Sequence, residues 1–359
     1  MTTLRVLLHV AAQRDYELHS LEFSTAFLQG SLHKEIWLRR PPGFIGSFPA
    51  GTQWSLRPPD YGLRQAPREW HDTLRTTLAA LGFTPSTAYP LLFLCTDTSM
   101  PPFYILVYVD DLIFATADTK APTLVISELQ KRHICTDLGE LRSYLGLQIT
   151  RDRARRTITL TLSHMVHQVL QRFGFQFSSP QPTPLSTGHL LSAPPLDESV
   201  EPTCPYTELV DCLMYLMTYT RPDLAYPLNL LARYVAPGRH RKTFSLGSGS
   251  VSWRSTHSSS VLSSSCEAEI YAGAKAAQEL RWLTYLLTEL GEQPGSPPQR
   301  GQLRPAYVAT RANTADIFTK ALQFGDHQRF STVLGLLALL FLTGLVTTCS
   351  PPVCLWGCV

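Results

Sequence analysis

The stretch Phe103–Thr116, which reads FYILVYVDDLIFAT, constrains the fold of this chain more than any other. Two apolar runs, Phe103–Val107 and Leu112–Ala115, flank the adjacent carboxylates Asp110 and Asp111. Each run has the length and the aromatic, branched composition of a buried strand, so the pattern predicts a β-hairpin with an acidic tip. Ionised neighbours in such a place repel each other and lose hydration, and a divalent cation relieves both costs. The alternative is a solvated turn that holds two aspartates by chance.

Composition allows a globular protein of two or more domains. The chain has 359 residues, of which 44% are hydrophobic and 16% are charged. A net charge of +3 gives no overall signal for nucleic acid, but 25 of the 31 basic residues are arginine, whose planar guanidinium suits phosphate. The basic runs Arg151–Arg156 and Arg239–Lys242 are candidates for contact with a nucleic acid backbone, and charged surface loops are the alternative.

The eight cysteines are scattered without the spacing of a disulfide framework or a zinc site. This usage predicts a reducing compartment, either cytoplasm or nucleus. Residues 330–359 carry no charge, and the window 331–349 is long enough to cross a bilayer. Its strongly apolar part, Val333–Val346, is closer in length to a buried helix. The tail therefore leaves membrane association through residues 331–349 as an alternative prediction.

Hydrophobic periodicity and turn residues predict the remaining elements. The N-terminal apolar segment reads as a helix in preference to a signal peptide, because His9 interrupts it. The predicted helices are Leu4–Ala12, Pro67–Leu81, Ala121–Arg132, His164–Phe173, Tyr206–Tyr219, Pro222–Tyr234 and Cys266–Leu290. The predicted strands are Leu21–Leu28, Ile36–Arg39, Leu91–Cys95, Tyr144–Ile149 and Thr157–Leu162. A turn is expected at Leu138–Glu140, poor packing over most of Ser245–Ser265, and loops at Ser178–Pro205 and Gly291–Pro305.

Several longer motifs follow one another along the chain, each occurring once. They are LEFSTAFLQGSL (Leu21–Leu32), PPGF (Pro41–Phe44), YGLRQAPREWH (Tyr61–His71), ILVYVDDLI (Ile105–Ile113), DLGELRSYLGLQI (Asp137–Ile149), LSSSCEAEIY (Leu262–Tyr271) and TADIFTKAL (Thr314–Leu322). Together they resemble the reverse transcriptase and ribonuclease H portion of a copia-like retrotransposon Pol polyprotein. The resemblance covers about residues 4 to 322.

The resemblance implies an α+β fold, in which a reverse transcriptase palm with an antiparallel sheet is joined to an incomplete ribonuclease H-like remnant. The expected divisions are a palm with partial fingers (1–177), a Pro/Ser-rich connection (178–205), a helical connection (206–240), a truncated ribonuclease H-like remnant (244–322) and a hydrophobic tail (323–359).

The resemblance also implies two-metal nucleotidyl transfer with Mg²⁺ (or Mn²⁺) as cofactor. Its partners are an RNA template, a DNA primer and deoxynucleoside triphosphates. The three acids carried over as catalytic and metal-binding residues are Glu22, Asp110 and Asp111. The residues carried over for nucleotide and template contact are Phe27, Arg64, Gln65, Ala66, Pro67 and Tyr108. Two of these have simpler alternatives, because Phe27 would also suit a core and Arg64 would also suit a solvated surface.

Departures from the family pattern predict a truncated enzyme with reduced or no activity. The family has Asp at the position of Glu22, and the extra methylene displaces the carboxylate. The family also has a strand pair upstream of Leu4, which this chain is expected to lack. The ribonuclease H site of the family needs four acids, and only two of them have counterparts in this chain, Glu267 and Asp316. We therefore expect no ribonuclease H activity. We expect Glu267 and Asp316 to act as helix N-terminal and surface charges. The alternatives are a non-catalytic transposon relic that binds nucleic acid or a protein partner, and a membrane-associated open reading frame without a biochemical role.

Overall fold

The structure, a computed structural model, describes residues 1–30, 35–38, 54–56, 63–97, 100–188, 205–231, 241–246, 249–255, 265–292, 308–337 and 346–348. Internal contacts define two compact units. One is Tyr16–Leu141, and the other is Met1–Asp15 together with Arg142–Val359. Helices accompany antiparallel strand pairs, in agreement with the predicted α+β class.

Eight α-helices and fifteen strands are assigned in the described residues. The helices are α1 (Thr2–Arg14), α2 (Ala66–Ala80), α3 (Ala121–Gln130), α4 (Ser163–Arg172), α5 (Tyr206–Tyr219), α6 (Ala225–Leu231), α7 (Ser265–Glu289) and α8 (Phe324–Val333). The strands are β1 (Glu17–Phe23), β2 (Ile36–Leu38), β3 (Trp54–Leu56), β4 (Phe83–Pro85), β5 (Leu92–Cys95), β6 (Phe103–Tyr108), β7 (Asp111–Thr116), β8 (Cys135–Glu140), β9 (Ser143–Tyr144), β10 (Leu147–Asp152), β11 (Thr157–Thr161), β12 (Arg241–Leu246), β13 (Gly249–Ser255), β14 (Leu336–Leu337) and β15 (Val346–Thr348).

The unit Tyr16–Leu141 is built on a six-stranded antiparallel sheet with the order β4-β5-β6-β7-β1-β8. The hairpin β6–β7 lies at its centre, which confirms the hairpin predicted from the apolar runs. Residues 103–107 and 112–116 are all buried, so both faces of this hairpin are covered. A continuous apolar run, without polar alternation, is what full burial on two faces requires.

Two helices close one face of this sheet and form its main core. The core includes Trp70, Leu74 and Leu78 from α2, Ile126 and Leu129 from α3, and the strand residues Leu21, Phe23, Phe103, Ile105, Val107, Leu112 and Phe114. Pro67 stands in the first turn of α2, where its missing N–H costs no helical hydrogen bond. Gly82 follows the helix with a φ of 87°, a conformation that glycine adopts without strain.

The second unit contains a five-stranded sheet with the order β14-β15-β11-β10-β9 and the hairpin β12–β13. Its N-terminal helix α1 is buried over most of its length and packs with β11 and β13. A smaller apolar cluster joins Ala225 of α6, Phe318, and Phe330 of α8.

Arg5 of α1 links three segments of this unit. Its guanidinium donates to the carbonyls of Val251 at 3.1 Å, Thr218 at 2.5 Å and Tyr219 at 3.1 Å, and it lies 3.8 Å from the centre of the Trp253 ring. Thr218 and Tyr219 end α5, where carbonyls without helical partners attract a cation. The side chain is only 5% exposed, so these contacts form out of water.

Three arginines of the run Arg151–Arg156 form hydrogen bonds within the same unit. Arg151 and Arg153 both donate to the carboxylate of Asp15, at 2.6 and 2.9 Å, and Arg156 donates to the carbonyl of Gln13. These contacts hold the C-terminal end of α1 to the β10–β11 turn. Of the second basic run, only the backbone of residues 241–242 is described.

The structure corrects three local predictions. The strand predicted over Leu21–Leu28 ends at Phe23, because Thr25 has a φ of 52° and a 3₁₀ turn, Ala26–Gln29, follows. The turn predicted at Leu138–Glu140 lies in strand β8, where Gly139 has a φ of 76°. Within Ser245–Ser265, residues 249–255 form a paired strand in which both serines whose side chains are described, Ser250 and Ser252, are buried.

The C-terminal window does not form one helix in the described residues. Helix α8 ends at Val333, and β14 and β15 pair with each other antiparallel. Among the described helices, none combines the length and the apolar character that crossing a membrane requires. Residues 338–345 and the predicted loops at 189–204 and 293–305 lie outside the described residues.

Replacement of Arg5 by Met should destabilise the protein by about 3 kcal/mol, because buried carbonyls lose a charged donor. Urea unfolding followed by far-ultraviolet circular dichroism measures the change. Arg155→Met is the control, since the Arg155 side chain is 83% exposed and its 3.7 Å pair with Asp152 predicts less than about 0.5 kcal/mol. Equal effects of the two substitutions would contradict the role given to Arg5.

Candidate active site

The strand register brings Glu22 beside Asp111. Glu22 on β1 is the direct partner of Asp111 on β7, and Asp111 is in turn the partner of Tyr108 on β6. Directly opposed residues of antiparallel strands point to the same face of the sheet. Leu21 and its partner Leu112 therefore point to the opposite face, which belongs to the core under α2 and α3. The acids lie on the face opposite to α2 and α3, at the end of the strands where Glu22 and Tyr108 are exposed.

Asp110 stands at the tip of the hairpin, between β6 and β7. Its carbonyl accepts a hydrogen bond of 2.8 Å from the N–H of Phe23, the residue after Glu22. One oxygen of its side chain, Oδ1, is buried and has no hydrogen-bond partner in the described part of the chain. The structure thus brings the three predicted acids, Glu22, Asp110 and Asp111, to one end of the sheet.

The carboxylates at this end repel each other and are partly removed from water. Burial raises the pKa of Asp110 above its ordinary value, and the charge of Glu22 raises it further. Burial also raises the pKa of Asp111, followed by the charges of Glu22 and Asp110. Each shift means that the folded protein disfavours the ionised form of the group. A cation at this place would remove the repulsion.

The donor set fits a hard divalent cation. Glu22, Asp110 and Asp111 offer carboxylate oxygens, which Mg²⁺ and Mn²⁺ prefer, and the buried Oδ1 of Asp110 lacks the partner that a buried oxygen requires. As the side chains stand, no group of three or more His, Cys, Asp or Glu residues in the described ranges surrounds a point where an ion would sit. The Glu22 side chain is exposed.

The other predicted contact residues lie on neighbouring elements. Tyr108 shares the acidic face and is 47% exposed. Phe27 lies on the 3₁₀ turn after β1, where it is half-buried and packs against the main core. The four residues Arg64, Gln65, Ala66 and Pro67 lead into α2; Arg64 and Pro67 are exposed, whereas Ala66 is fully buried.

Sequence reasoning did not single out Trp70, which the structure places directly beneath the acidic tip. Its indole Nε1 donates to the carbonyl of Val109 at 2.8 Å, and its ring packs edge-on against Phe23. The available signal was indirect. Val109 is a branched residue in a two-residue hairpin loop, where a positive φ of 55° needs support from elsewhere in the fold.

The two predicted ribonuclease H acids belong to the unit that contains Arg142–Val359. Glu267 is in the first turn of α7, and its side chain is outside the described residues. Asp316 is 8% exposed, so its prediction as a surface charge is wrong. Its carboxylate accepts from the Asn313 amide at 3.1 Å and pairs with Lys320 at 2.6 Å, which explains how a buried carboxylate remains paired.

Comparison with known proteins agrees with this geometry. A family model described as reverse transcriptase (RNA-dependent DNA polymerase) matches residues 1–187, just over half of the chain. That range includes every predicted polymerase residue from Glu22 to Asp111.

Relatives with curated names come from transposons. The chain is 28% identical to a retrovirus-related Pol polyprotein from transposon RE2 of Arabidopsis thaliana, over 94% of this chain and 29% of that protein. It is 28% identical to the corresponding polyprotein from transposon TNT 1-94 of Nicotiana tabacum, over 81% and 26%. A putative transposon Ty5-1 protein of Saccharomyces cerevisiae is 32% identical over 61% of this chain and 70% of its own length. The chain thus spans less than a third of either plant polyprotein.

The substitution Asp111→Asn should raise the thermal stability of the metal-free protein at pH 7, by about 2 °C or more, because it removes one of the repelling charges. The gain should vanish as the pH falls toward 4. A carboxyl whose pKa is raised by folding favours the folded state below its ordinary pKa of 3.8, and that contribution is lost as the pH rises through the raised value. Differential scanning calorimetry in EDTA measures both effects.

Asp72→Asn on α2 is the control for this prediction. The Asp72 carboxylate is half exposed, and its contacts with Arg68 and His71 are long, at 3.8 Å each. We expect no stabilisation from this change at any pH. A fall in stability with Asp111→Asn at pH 7 would show that the ionised Asp111 carboxylate helps to hold the metal-free fold.

Proposed function

Because the chain belongs to the reverse transcriptase (RNA-dependent DNA polymerase) family, we propose that it is a copia-type retrotransposon polymerase segment with RNA-directed DNA synthesis as its chemistry. The observation that carries the proposal is the register of β1 against β7, which pairs Glu22 with Asp111 while the Asp110 carbonyl binds the next residue of β1. The proposed substrates are an RNA template, a DNA primer and deoxynucleoside triphosphates.

In the proposed reaction the 3′-hydroxyl of the primer attacks the α-phosphorus of the nucleotide, and pyrophosphate leaves. Mg²⁺ or Mn²⁺, when bound, activates the attacking oxygen and offsets the negative charge of the phosphates. Glu22, Asp110 and Asp111 are the residues that would hold it. Because these three carboxylates already repel each other, a nucleotide with its phosphates would be repelled without a cation, which makes the metal a requirement for binding.

The surrounding residues are proposed to position the substrates. Tyr108, half exposed on the acidic face, is available to the primer end or the incoming nucleotide. Phe27, held by the 3₁₀ turn, is proposed to pack beneath the sugar and to disfavour a 2′-hydroxyl. The lead-in to α2 offers Arg64 as a phosphate contact and Gln65, Ala66 and Pro67 as contacts beside the nucleotide and template.

Activity is proposed to be low because Glu22 replaces the aspartate of the family. The extra methylene shifts the carboxylate by about 1 Å, and a displacement of that size costs on the order of a hundredfold in rate.

Residues 244–322 are proposed to descend from a ribonuclease H-like domain that no longer cleaves RNA. Asp316 supports this proposal, since Asn313 and Lys320 occupy the carboxylate that a metal would need. The predicted palm (1–177), connection (178–205) and helical connection (206–240) are retained as the proposed division of the rest. The alternative is a relic that binds nucleic acid without catalysis. Primer extension distinguishes it from a polymerase.

Primer extension on an RNA template tests the polymerase proposal. Glu22→Asp should raise the extension rate by about tenfold to a hundredfold, because it restores the shorter carboxylate, and Asp110→Asn should abolish extension. Glu17→Asp, the same change at the other end of β1, should leave the rate unchanged. No product from either the native chain or Glu22→Asp, in Mg²⁺ or Mn²⁺, would leave only the relic.

Binding of the cation can be tested without catalysis. Saturating Mn²⁺ should stabilise the native protein by about 3 kcal/mol at a hundred times the dissociation constant, whereas the double substitution of Asp110 and Asp111 by Asn should remove that stabilisation. Thermal unfolding in EDTA and in Mn²⁺ at matched ionic strength measures the difference. Equal stabilisation of both proteins would place the ion elsewhere.

A further inference from the structure

Trp70 is a buried side chain that bonds directly to the loop at the acidic tip. It is 2% exposed, and its Nε1 donates to the carbonyl of Val109 at 2.8 Å. That carbonyl belongs to the peptide unit that joins Val109 to Asp110. The hydrogen bond therefore fixes the orientation of the backbone immediately before the first of the two aspartates.

The loop needs such a restraint because its residues do not suit its conformation. Tyr108 and Asp111 are the last pair of the hairpin, so Val109 and Asp110 alone make the turn. Val109 has a φ of 55°, which a branched side chain disfavours and which turns of this length usually assign to Asn or Gly. A strained residue of this kind persists only where the surrounding structure holds it.

Two hydrogen bonds from different elements hold consecutive carbonyls of this loop. Trp70 of α2 binds the carbonyl of Val109, and the N–H of Phe23 on β1 binds the carbonyl of Asp110. The same indole packs edge-on against the Phe23 ring, with 4.9 Å between centroids. Phe23 directly follows Glu22. Trp70 thus contacts both chain segments that carry the acids.

A second layer fixes Trp70 itself. The His133 ring packs edge-on against both Trp70, at 5.5 Å, and Phe23, at 5.7 Å. A nitrogen of His133 lies 2.9 Å from the hydroxyl of Thr77, which is about two helical turns beyond Trp70 on α2. The indole is therefore enclosed on several sides, and its N–H has one fixed direction.

We propose that Trp70 is a positioning residue that sets the spacing between Glu22 and the Asp110–Asp111 pair through the Val109 carbonyl and the Phe23 ring. Through this spacing, Trp70 affects the strength of cation binding and the rate of primer extension. This part of the proposal rests on the proposed function. Trp70 has no contact with the acids themselves among those described. Its effect passes through the backbone of the loop.

The test compares two indoles that make the same bond in different places. Trp70→Phe removes the donor but keeps an aromatic ring. Trp253→Phe is the matched control, because the Trp253 Nε1 also donates to a backbone carbonyl, that of Met217, at 2.8 Å, in the other unit. Mn²⁺ affinity by titration calorimetry, kcat and KM in primer extension, and melting temperature are measured for the full-length chain.

We expect Trp70→Phe to weaken Mn²⁺ binding by about fivefold to tenfold and to lower kcat with little change in the KM of the nucleotide. Trp253→Phe should lower the melting temperature without changing Mn²⁺ affinity or kcat. Native Mn²⁺ affinity in Trp70→Phe, or equal losses in both variants, would overturn the proposal.

A rescue variant separates positioning from general packing. Val109→Asn relaxes the loop, since Asn adopts the left-handed conformation readily, and it should restore most of the Mn²⁺ affinity lost by Trp70→Phe. If Trp70→Phe fails to fold, benzothienylalanine at position 70 keeps the shape of the indole and removes only the N–H. Failure of Val109→Asn to restore binding in either background would assign Trp70 a packing role alone.

Failure of the proposed function gives a different result. A native chain that neither binds Mn²⁺ nor extends a primer refutes the function, and hydrogen exchange then decides the role of Trp70. The Phe23 amide, which is bonded to the loop, should exchange about fivefold to tenfold faster in Trp70→Phe than in the native chain and in Trp253→Phe. Unchanged exchange at Phe23 would overturn the positioning role.

Discussion

The carboxylates of Glu22, Asp110 and Asp111 repel each other, so a stronger interaction must hold their strands in place. In this protein that interaction is the burial of the apolar residues next to them on β1. Leu21 and Phe23 on β1 are fully buried, and Glu22 lies between them in the alternation of the strand. Because a slip of one residue would expose both apolar side chains, the register that opposes Glu22 and Asp111 is fixed by the core. Burial of two such side chains contributes several kcal/mol, about 1.5–3 kcal/mol each. The repulsion of partly solvated carboxylates is smaller, so the site tolerates it.

The elements that the sequence predicted best are those whose burial follows one regular pattern along the whole element. The hairpin β6–β7 is buried on both faces, so its apolar runs are unbroken, and α2 buries one stripe, so its periodicity is regular. The end of β1 was less predictable. Thr25 adopts a positive φ without being glycine, and the N–H of Ser24 bonds to Ile134, a residue distant in the sequence. Strand β8 is an edge strand with mostly exposed side chains and a glycine, and local rules assign that pattern to a turn.

The sequence predicted the acids of the candidate site, but it did not predict the side chain that holds the loop between them, Trp70. Glu22, Asp110 and Asp111 follow from motif resemblance, and the register pairing of β1 with β7 then brings them together. Trp70 belongs to a predicted helix, yet its partner is a backbone carbonyl, which has no signature in the sequence. Asp316 shows the same limit, because the burial of its carboxylate beside Asn313 depends on a 3₁₀ turn. The arginine content was also ambiguous: Arg5, Arg151 and Arg153 bind within the fold, so composition alone overstates the surface available to phosphate.

The contact between Arg5 and Val251 joins residues that are 246 positions apart. During synthesis on the ribosome, at about 5–20 residues per second, helix α1 therefore emerges roughly 10–50 seconds before its partner strand β13 exists. Helix α1 meets its native partner β11 part-way through that interval, but Arg5 lacks its buried acceptors until α5 and β13 have been made. Tyr16–Leu141, whose strands all pair within its own limits, becomes complete first. Helix α1 therefore waits for its native partners β11 and β13 while Tyr16–Leu141 is already complete.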